Sequence, residues 1–284
     1  MKQKKLFNII FLMLFSFSSF AQKANGSVKS LIEVDEKMNY QLFKKGADHA
    51  FLKFSDDKTI IFNPAPKPVA EVYKKTKTKV ENYQLEWKPE YARISKKGDL
   101  GFTSGRFEQI ANGKKSYGVY LNVWRNVYDK WKLAYHAKTF QPQLVRETKF
   151  DYFEPKNNEY YKLIGPQKIQ MRDDIVFSTD ELFGKRLSAK NGNSYLSEFY
   201  DATVRMYLPG KYPTQGLEES LNFIVKNKLD FKSYPQGVTR AFSGDLAFTY
   251  GKASIKDKNY DYVRVWQQEE GTGKWNVIID MYID

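Results

Sequence analysis

Only two histidines, His49 and His136, occur in the 284 residues, and there is no cysteine. That inventory excludes cysteine nucleophiles, thiolate metal sites, disulfide scaffolds and cysteine-anchored lipids, and two imidazoles are too few for a His-rich metal centre. No Gly-x-Ser-x-Gly elbow, Walker loop, Rossmann glycine pattern or His-Glu-x-x-His is found. Asp56 and Asp57 are adjacent, so their carboxylates point apart and suit capping or solvent better than paired acid–base work. The sequence displays no assembled dyad and implies no cofactor or metal. The two histidines and the carboxylates remain as candidate groups, and the elements that would place them follow from an internal repeat.

Gly98-Asp99-Leu100-Gly101-Phe102-Thr103-Ser104-Gly105 recurs as Gly244-Asp245-Leu246-Ala247-Phe248-Thr249-Tyr250-Gly251. Val123-Trp124 returns as Val265-Trp266, Lys130-Trp131 as Lys274-Trp275, and Asp35-Glu36-Lys37-Met38 parallels Asp180-Glu181-Leu182-Phe183. The order is kept at nearly constant offset, so the chain holds two copies of one unit. In the first, Leu31, Val34, Met38, Leu42 and Phe43 recur at helical spacing, Gly46 ends that helix and a short second helix follows. Ser30 with Glu33, and Ser178-Thr179-Asp180-Glu181, read as helix-opening capping signals. A strand at 59–62 or 203–208 and a third helical segment at 69–75 or 217–226 come next. Strands at about 83–95, 100–110, 116–127 and 131–140 complete the first copy, with hairpin-type turns at Lys97-Gly98-Asp99 and Asn112-Gly113.

About three helices followed by an antiparallel meander predict an α+β unit in which a curved sheet wraps helices and leaves a cone. Leu85-Glu86-Trp87-Lys88-Pro89, the Gly-Asp-Leu motif, Gly118-Val119-Tyr120-x-x-Val123-Trp124-Arg125 and Trp131-Lys132 resemble the NTF2-like superfamily, more narrowly its SnoaL-like group DUF4440. The resemblance covers 29–140 well and 178–284 more loosely. It implies two tandem NTF2-like cone domains; between them, the prolines and aromatic residues of 141–177 predict a connector that packs on one or both. It further implies that the two cones pair as a pseudo-dimer within the chain. Cones of this family hold ligands in some members and active sites in others, where a base in the apolar interior works with Tyr, His or Asp donors.

His49 falls on the short second helix and His136 on the last strand, whose matching position in the second copy is Asp280. Simple alternation puts His136 on the face of Lys132 and Ala134, and Asp280 on that of Asn276 and Ile278. The third meander strand alternates Tyr120, Asn122 and Trp124 against Val119, Leu121 and Val123, and its counterpart carries Tyr262, Arg264 and Trp266. The valine face is expected to pack on the helices. Pocket candidates are therefore His49, Tyr120, Trp124, His136, Tyr195, Tyr262, Arg264, Trp266 and Asp280. The expected function is binding of a small or amphipathic ligand in one or both cones. The rivals are an isomerase or dehydratase using His136 or Asp280 as base, and a non-catalytic module with filled cones.

Met1 to Ala21 has a lysine-rich start, an apolar run and Ser19-Phe20-Ala21, which reads as a secretory signal cleaved after Ala21 and predicts a periplasmic or secreted protein. The apolar run falls short of the ~20 residues that span a bilayer, so no transmembrane segment is expected in the mature chain. The formal charge is +13. Residues 29–140 hold 22 Lys or Arg against 13 Asp or Glu, whereas 178–284 hold 14 of each. The run Lys74, Lys75, Lys77 and Lys79 offers a contact for anionic envelope material. Lysine excess without a helix-turn-helix or zinc pattern argues against nucleic acid.

Overall fold

The computed structural model describes residues 26–62, 65–73, 83–145, 149–156, 164–189 and 192–284. The signal segment 1–21 and Lys74, Lys75, Lys77 and Lys79 lie outside the described residues. Helix α1 (Val28–Lys45) is capped by Ser27, whose hydroxyl accepts from the Ser30 backbone while the Ser30 hydroxyl answers the Ser27 backbone. The capping pair is thus Ser27 with Ser30 and not Ser30 with Glu33. Gly46, at φ 86°, closes the helix, a conformation that glycine adopts without strain. Then come α2 (Ala47–Phe54), β1 (Ser55–Phe62), β2 (Pro66–Pro68) and α3 (Val69–Val72). The meander is β3 (Tyr83–Trp87), β4 (Tyr91–Ile94), β5 (Leu100–Ala111), β6 (Lys114–Val127) and β7 (Lys130–Gln141), with β8 (Asp151–Phe153) added alongside β4.

The second unit repeats this plan. It comprises α4 (Pro166–Leu187), a 3₁₀ turn (Gly192–Tyr195), α5 (Leu196–Phe199), β9 (Tyr200–Tyr207), β10 (Thr214–Gln215) and α6 (Leu217–Lys226). Its meander is β11 (Phe231–Arg240), β12 (Leu246–Ile255), β13 (Lys258–Gln268) and β14 (Trp275–Ile283). Helix α4 starts at Pro166, a residue pre-set for the first helical turn, so Ser178 to Glu181 lie mid-helix and do not open it. Residues 166–177, expected in the connector, belong to α4 as well. Among the described residues no helix is long and apolar enough to cross a membrane.

The chain is α+β with two sheets, ordered β2-β1-β7-β6-β5-β4-β8 with β3 also on β5, and β10-β9-β14-β13-β12-β11. Each sheet buries both faces. On the helix side the first sheet meets Leu31, Met38, Leu42, Phe51, Trp87, Tyr120 and Trp124 in one apolar cluster. On the other side Leu100, Phe102, Val119, Leu121, Val123 and Ala137 mesh with Leu246, Phe248, Val263, Val265, Ile279 and Met281 of the second sheet. The valine face therefore packs sheet against sheet, while the helices cover the opposite face of each sheet.

The repeated Gly-Asp-Leu motif is accounted for residue by residue. Gly98 and Gly244 take positive φ at the turn. Asp99 accepts from the backbone N–H of Phe242 at 2.7 Å, and Asp245 accepts from that of Lys96 at 3.0 Å. These two bonds exchange equivalent positions between the copies, as a two-fold contact must. Leu100, Phe102, Leu246 and Phe248 enter the inter-sheet core. A Cβ on Gly105 would sit 2.0 Å from the Lys88 carbonyl oxygen, and one on Gly251 would sit 2.1 Å from that of Tyr234. Both glycines admit the irregular stretch of the neighbouring strand.

Candidate functional site

The interior of each cone is set by one helix and three strands. Helix α1 buries Leu31, Asp35, Met38 and Leu42, and α4 buries Val176, Asp180, Phe183 and Leu187 at the same spacing. An aspartate thus occupies the second position of each otherwise apolar stripe. Both are fully buried, so each carboxylate must be met by donors from the sheet.

In the first copy Asp35 accepts from Thr103 Oγ1 and Asn122 Nδ2 on one oxygen, both at 2.7 Å. The other oxygen accepts from Trp87 Nε1 and the Tyr120 hydroxyl, both at 2.9 Å. Four donors fill the four acceptor directions of the carboxylate. Among the described residues no cation joins them, and burial pushes the Asp35 carboxyl up to about 6. Asn122 Oδ1, its amide nitrogen already donating to Asp35, faces His136 Nδ1 at 2.6 Å. That orientation makes Nδ1 the protonated ring nitrogen and leaves the lone pair on Nε2. Burial, then the charge of Lys138, drives the His136 imidazole down to about 3, so the ring is neutral. Its faces and edges meet Phe51 and Trp87.

The second copy keeps the frame and changes the charges. Asp180 accepts from Tyr262 at 2.8 Å and Arg264 Nη1 at 2.5 Å. Asp280 accepts from Arg264 Nε at 3.0 Å, from Tyr200 at 2.6 Å and from Tyr282 at 3.1 Å. Ser233 Oγ, at the place of Trp87, takes another Arg264 N–H. Arg264 therefore stands between two carboxylates, its guanidinium flanked by the rings of Phe183 and Tyr262. Burial raises the Asp280 carboxyl, and Arg264 opposes that rise. In both copies the tryptophan indole donates to a strand threonine, Trp124 to Thr103 and Trp266 to Thr249. Those tryptophans brace the frame from within the sheet.

Cross-strand register extends the comparison one step further along the strands. Tyr120 pairs with Lys138 in the first copy, and Tyr262 with Tyr282 in the second. Tyr282 is fully buried and bonded to Arg264 and Asp280. Lys138 donates to Gln109 Oε1 at 2.5 Å beside the rings of Phe107 and Phe140. Burial there lowers its amine to about 8.

Of the sequence-derived candidates, Tyr120, Trp124 and His136 are brought together in the first cone, and Tyr262, Arg264, Trp266 and Asp280 in the second. His49 is exposed on α2 and takes no part in either network. Tyr195 is half-buried under the Arg186 guanidinium, 4.9 Å from its ring centre, and takes no part in the Asp280 network. His136 does not share a face with Ala134, nor Asp280 with Ile278. A bulge in each last strand skips Ala134 and Ile278, sending them to the inter-sheet core and reversing the alternation beyond. Asp35, Asp180, Thr103, Thr249, Tyr200 and Trp87 were missed as site residues. The signal for Asp35 and Asp180 was present, as a repeated aspartate inside two apolar helical stripes. Among the described residues no group of three or more His, Asp or Glu converges as metal ligands would.

No protein-family model matches this chain, and no curated protein matches it. Solved structures similar to it include an NTF-2 like protein of unknown function from Shewanella oneidensis, 12% identical over 39% of this chain and 96% of that one, with a TM-score of 0.33. The association domain of C. elegans CaMKII is 14% identical over 42% of this chain and 99% of its own, TM-score 0.33. An NTF2-like protein from Cytophaga hutchinsonii is 14% identical over 42% and 98%, TM-score 0.29.

Proposed function

We propose that this is an exported, non-catalytic ligand-binding protein of two tandem NTF2-like copies, at 29–140 and 178–284. In this reading the first cone takes a small amphipathic ligand and the second is its sealed structural partner. The observation that carries the reading is the exchange at this cross-strand position: Tyr282 is hydrogen-bonded to Arg264 and Asp280 in the second copy, whereas the first has Lys138 beside two phenylalanine rings. Behind Lys138 stands the neutral His136, whose Nε2 offers a lone pair to a ligand hydroxyl. The amine and the aromatic walls suit an amphipathic molecule with an acidic or hydroxylated head.

The enzymatic alternative is supported less well. A general base must reach the substrate proton with a lone pair and a pKa near the working pH. Asp35 has all four acceptor directions filled, Asp280 is held by Arg264 and two tyrosines, and His136 at about 3 is too weak a base. The basic start and apolar run of residues 1–21 support export, and the lysine run at 74–79 supports attraction to anionic envelope material. Titration with the anionic amphipathic dye 1-anilinonaphthalene-8-sulfonate tests the cone directly. Saturable dye fluorescence that is lost in Lys138→Tyr and kept in Tyr282→Phe is expected. Equal binding by both variants would overturn the assignment.

A further inference from the structure

A second site opens at the border of the first sheet, where Glu36 and Asn39 of α1 and the rims of Trp87 and Phe107 meet the sheet face that elsewhere packs against the second sheet. Past Val119 the second sheet no longer covers this face, and a groove of about 570 Å³ opens, a size typical of ligand clefts. One row of side chains crosses its floor on four adjacent strands: Glu86 opposite Glu108, Glu108 opposite Tyr117, and Tyr117 opposite Gln141. All four line the groove. Two like charges directly opposite on neighbouring strands are unfavourable. Glu108 is relieved by Lys115 at 2.7 Å, but Glu86 forms no ion pair among the described residues. At the other end of the row Gln141 is 8% exposed, and its Nε2 has no hydrogen-bond partner. A buried amide N–H without an acceptor is unfavourable, so this end is built to receive one.

We infer that the groove binds the amino-terminal end of an extended peptide. Its ammonium sits at Glu86 and Glu108 beside Tyr117, and a main-chain carbonyl accepts from Gln141. Strand spacing supplies the ruler. Glu108 and Gln141 stand two strands apart, about 10 Å at ~4.8 Å per strand, and an extended chain covers that span in about three residues. Val119, Leu144 and Pro213 form an apolar wall for one side chain. A bare cation would leave Gln141 unanswered, and a neutral acceptor would leave Glu86 unanswered. A free-amine peptide end answers both.

Calorimetric titration of the full chain with Leu-Gly-Gly, N-acetyl-Leu-Gly-Gly and spermidine tests this, with thermal unfolding as the check on folding. The expected result is saturable binding of Leu-Gly-Gly, weakened tenfold or more by acetylation and by Glu86→Gln, an exposed position that leaves the core untouched. Gln141→Leu is expected to weaken Leu-Gly-Gly severalfold and leave spermidine unchanged. No binding of Leu-Gly-Gly, equal binding of the acetylated peptide, or indifference to Glu86→Gln would overturn the proposal. So would spermidine binding as tightly as the tripeptide, which would reduce the groove to an undirected acidic face. Because Lys138 lies outside this groove, Lys138→Tyr separates failure here from failure of the cone assignment.

Discussion

The two cones share a frame and differ in how they settle a buried aspartate. In both, the aspartate projects from the first long helix, a tyrosine hydroxyl reaches it from the third meander strand, and a tryptophan indole braces the neighbouring threonine. The second copy answers the aspartate with Arg264 and adds Asp280, so one cation is shared by two carboxylates in a closed network. The first answers with Asn122, a neutral go-between to the neutral His136. Charge pairing locks the second interior. Dipoles hold the first among the described residues, and burial raises its carboxyl to about 6. A duplicated fold can thus keep one copy as a rigid partner while the other retains a responsive interior.

The largest way to break this contrast is Arg264→Met. It strands Asp180 and Asp280 without a cation, and removing one partner of a buried ion pair costs about 3–5 kcal/mol. Thermal unfolding should show the second copy lost first, whereas Asn122→Leu, which removes a neutral group, should cost less. A double-mutant cycle sharpens the point. Arg264→Asn with Asp280→His imports the first copy's pair, and the double variant should recover at least about 1 kcal/mol of the single Arg264→Asn loss, as contacting residues do.

The next effect is a change in pH dependence. His136 has its folded pKa depressed from 6.5 to about 3, so the unfolded chain binds more protons between those values and stability rises with pH. Asp35 has its folded pKa raised from 3.8 to about 6. It contributes stability that is present below 3.8 and lost as pH rises through 6. The two slopes oppose each other. In His136→Gln only the Asp35 slope remains, so the variant should lose stability relative to wild type as pH rises from 4 to 6, by about 3 kcal/mol at most. A parallel pH profile for both proteins in urea unfolding would refute the Asp35–Asn122–His136 arrangement.

The smallest effect tests where the copies agree. Asp99→Ala and Asp245→Ala each remove one of two reciprocal inter-copy hydrogen bonds. Each should cost about 1–2 kcal/mol in chemical unfolding, and the two losses should be similar. Widely unequal losses would show that the copies do not meet as equivalents.

The α+β plan was legible because a repeat doubles every signal. The period of Leu31, Met38 and Leu42, the glycine at 46 and the hairpin at Asn112-Gly113 each mark an element that is found. Facing was not legible. Tyr120, Asn122 and Trp124 alternate cleanly with Val119, Leu121 and Val123, but both faces are buried, and polarity cannot say which meets a helix and which a second sheet. The bulges at Ala134 and Ile278 were hidden for the same reason: a two-residue period carries no mark of a skipped residue. Arg264 and Asp280 were singled out, yet their partner Asp180 was passed over, because an aspartate in a helix reads as solvent-facing until its place in the apolar stripe is counted. Ser178 to Glu181 looked like a helix start because a local capping pattern holds no information on the helical turns already formed upstream of it.

The central claim, that the first cone receives a ligand and the second does not, is tested most directly by native mass spectrometry of the protein purified from its own cells. One retained small molecule per chain is expected in the wild type, lost in Lys138→Tyr and kept in Tyr282→Phe. A ligand that persists in Lys138→Tyr, or one that leaves only when Tyr282 is changed, would contradict it.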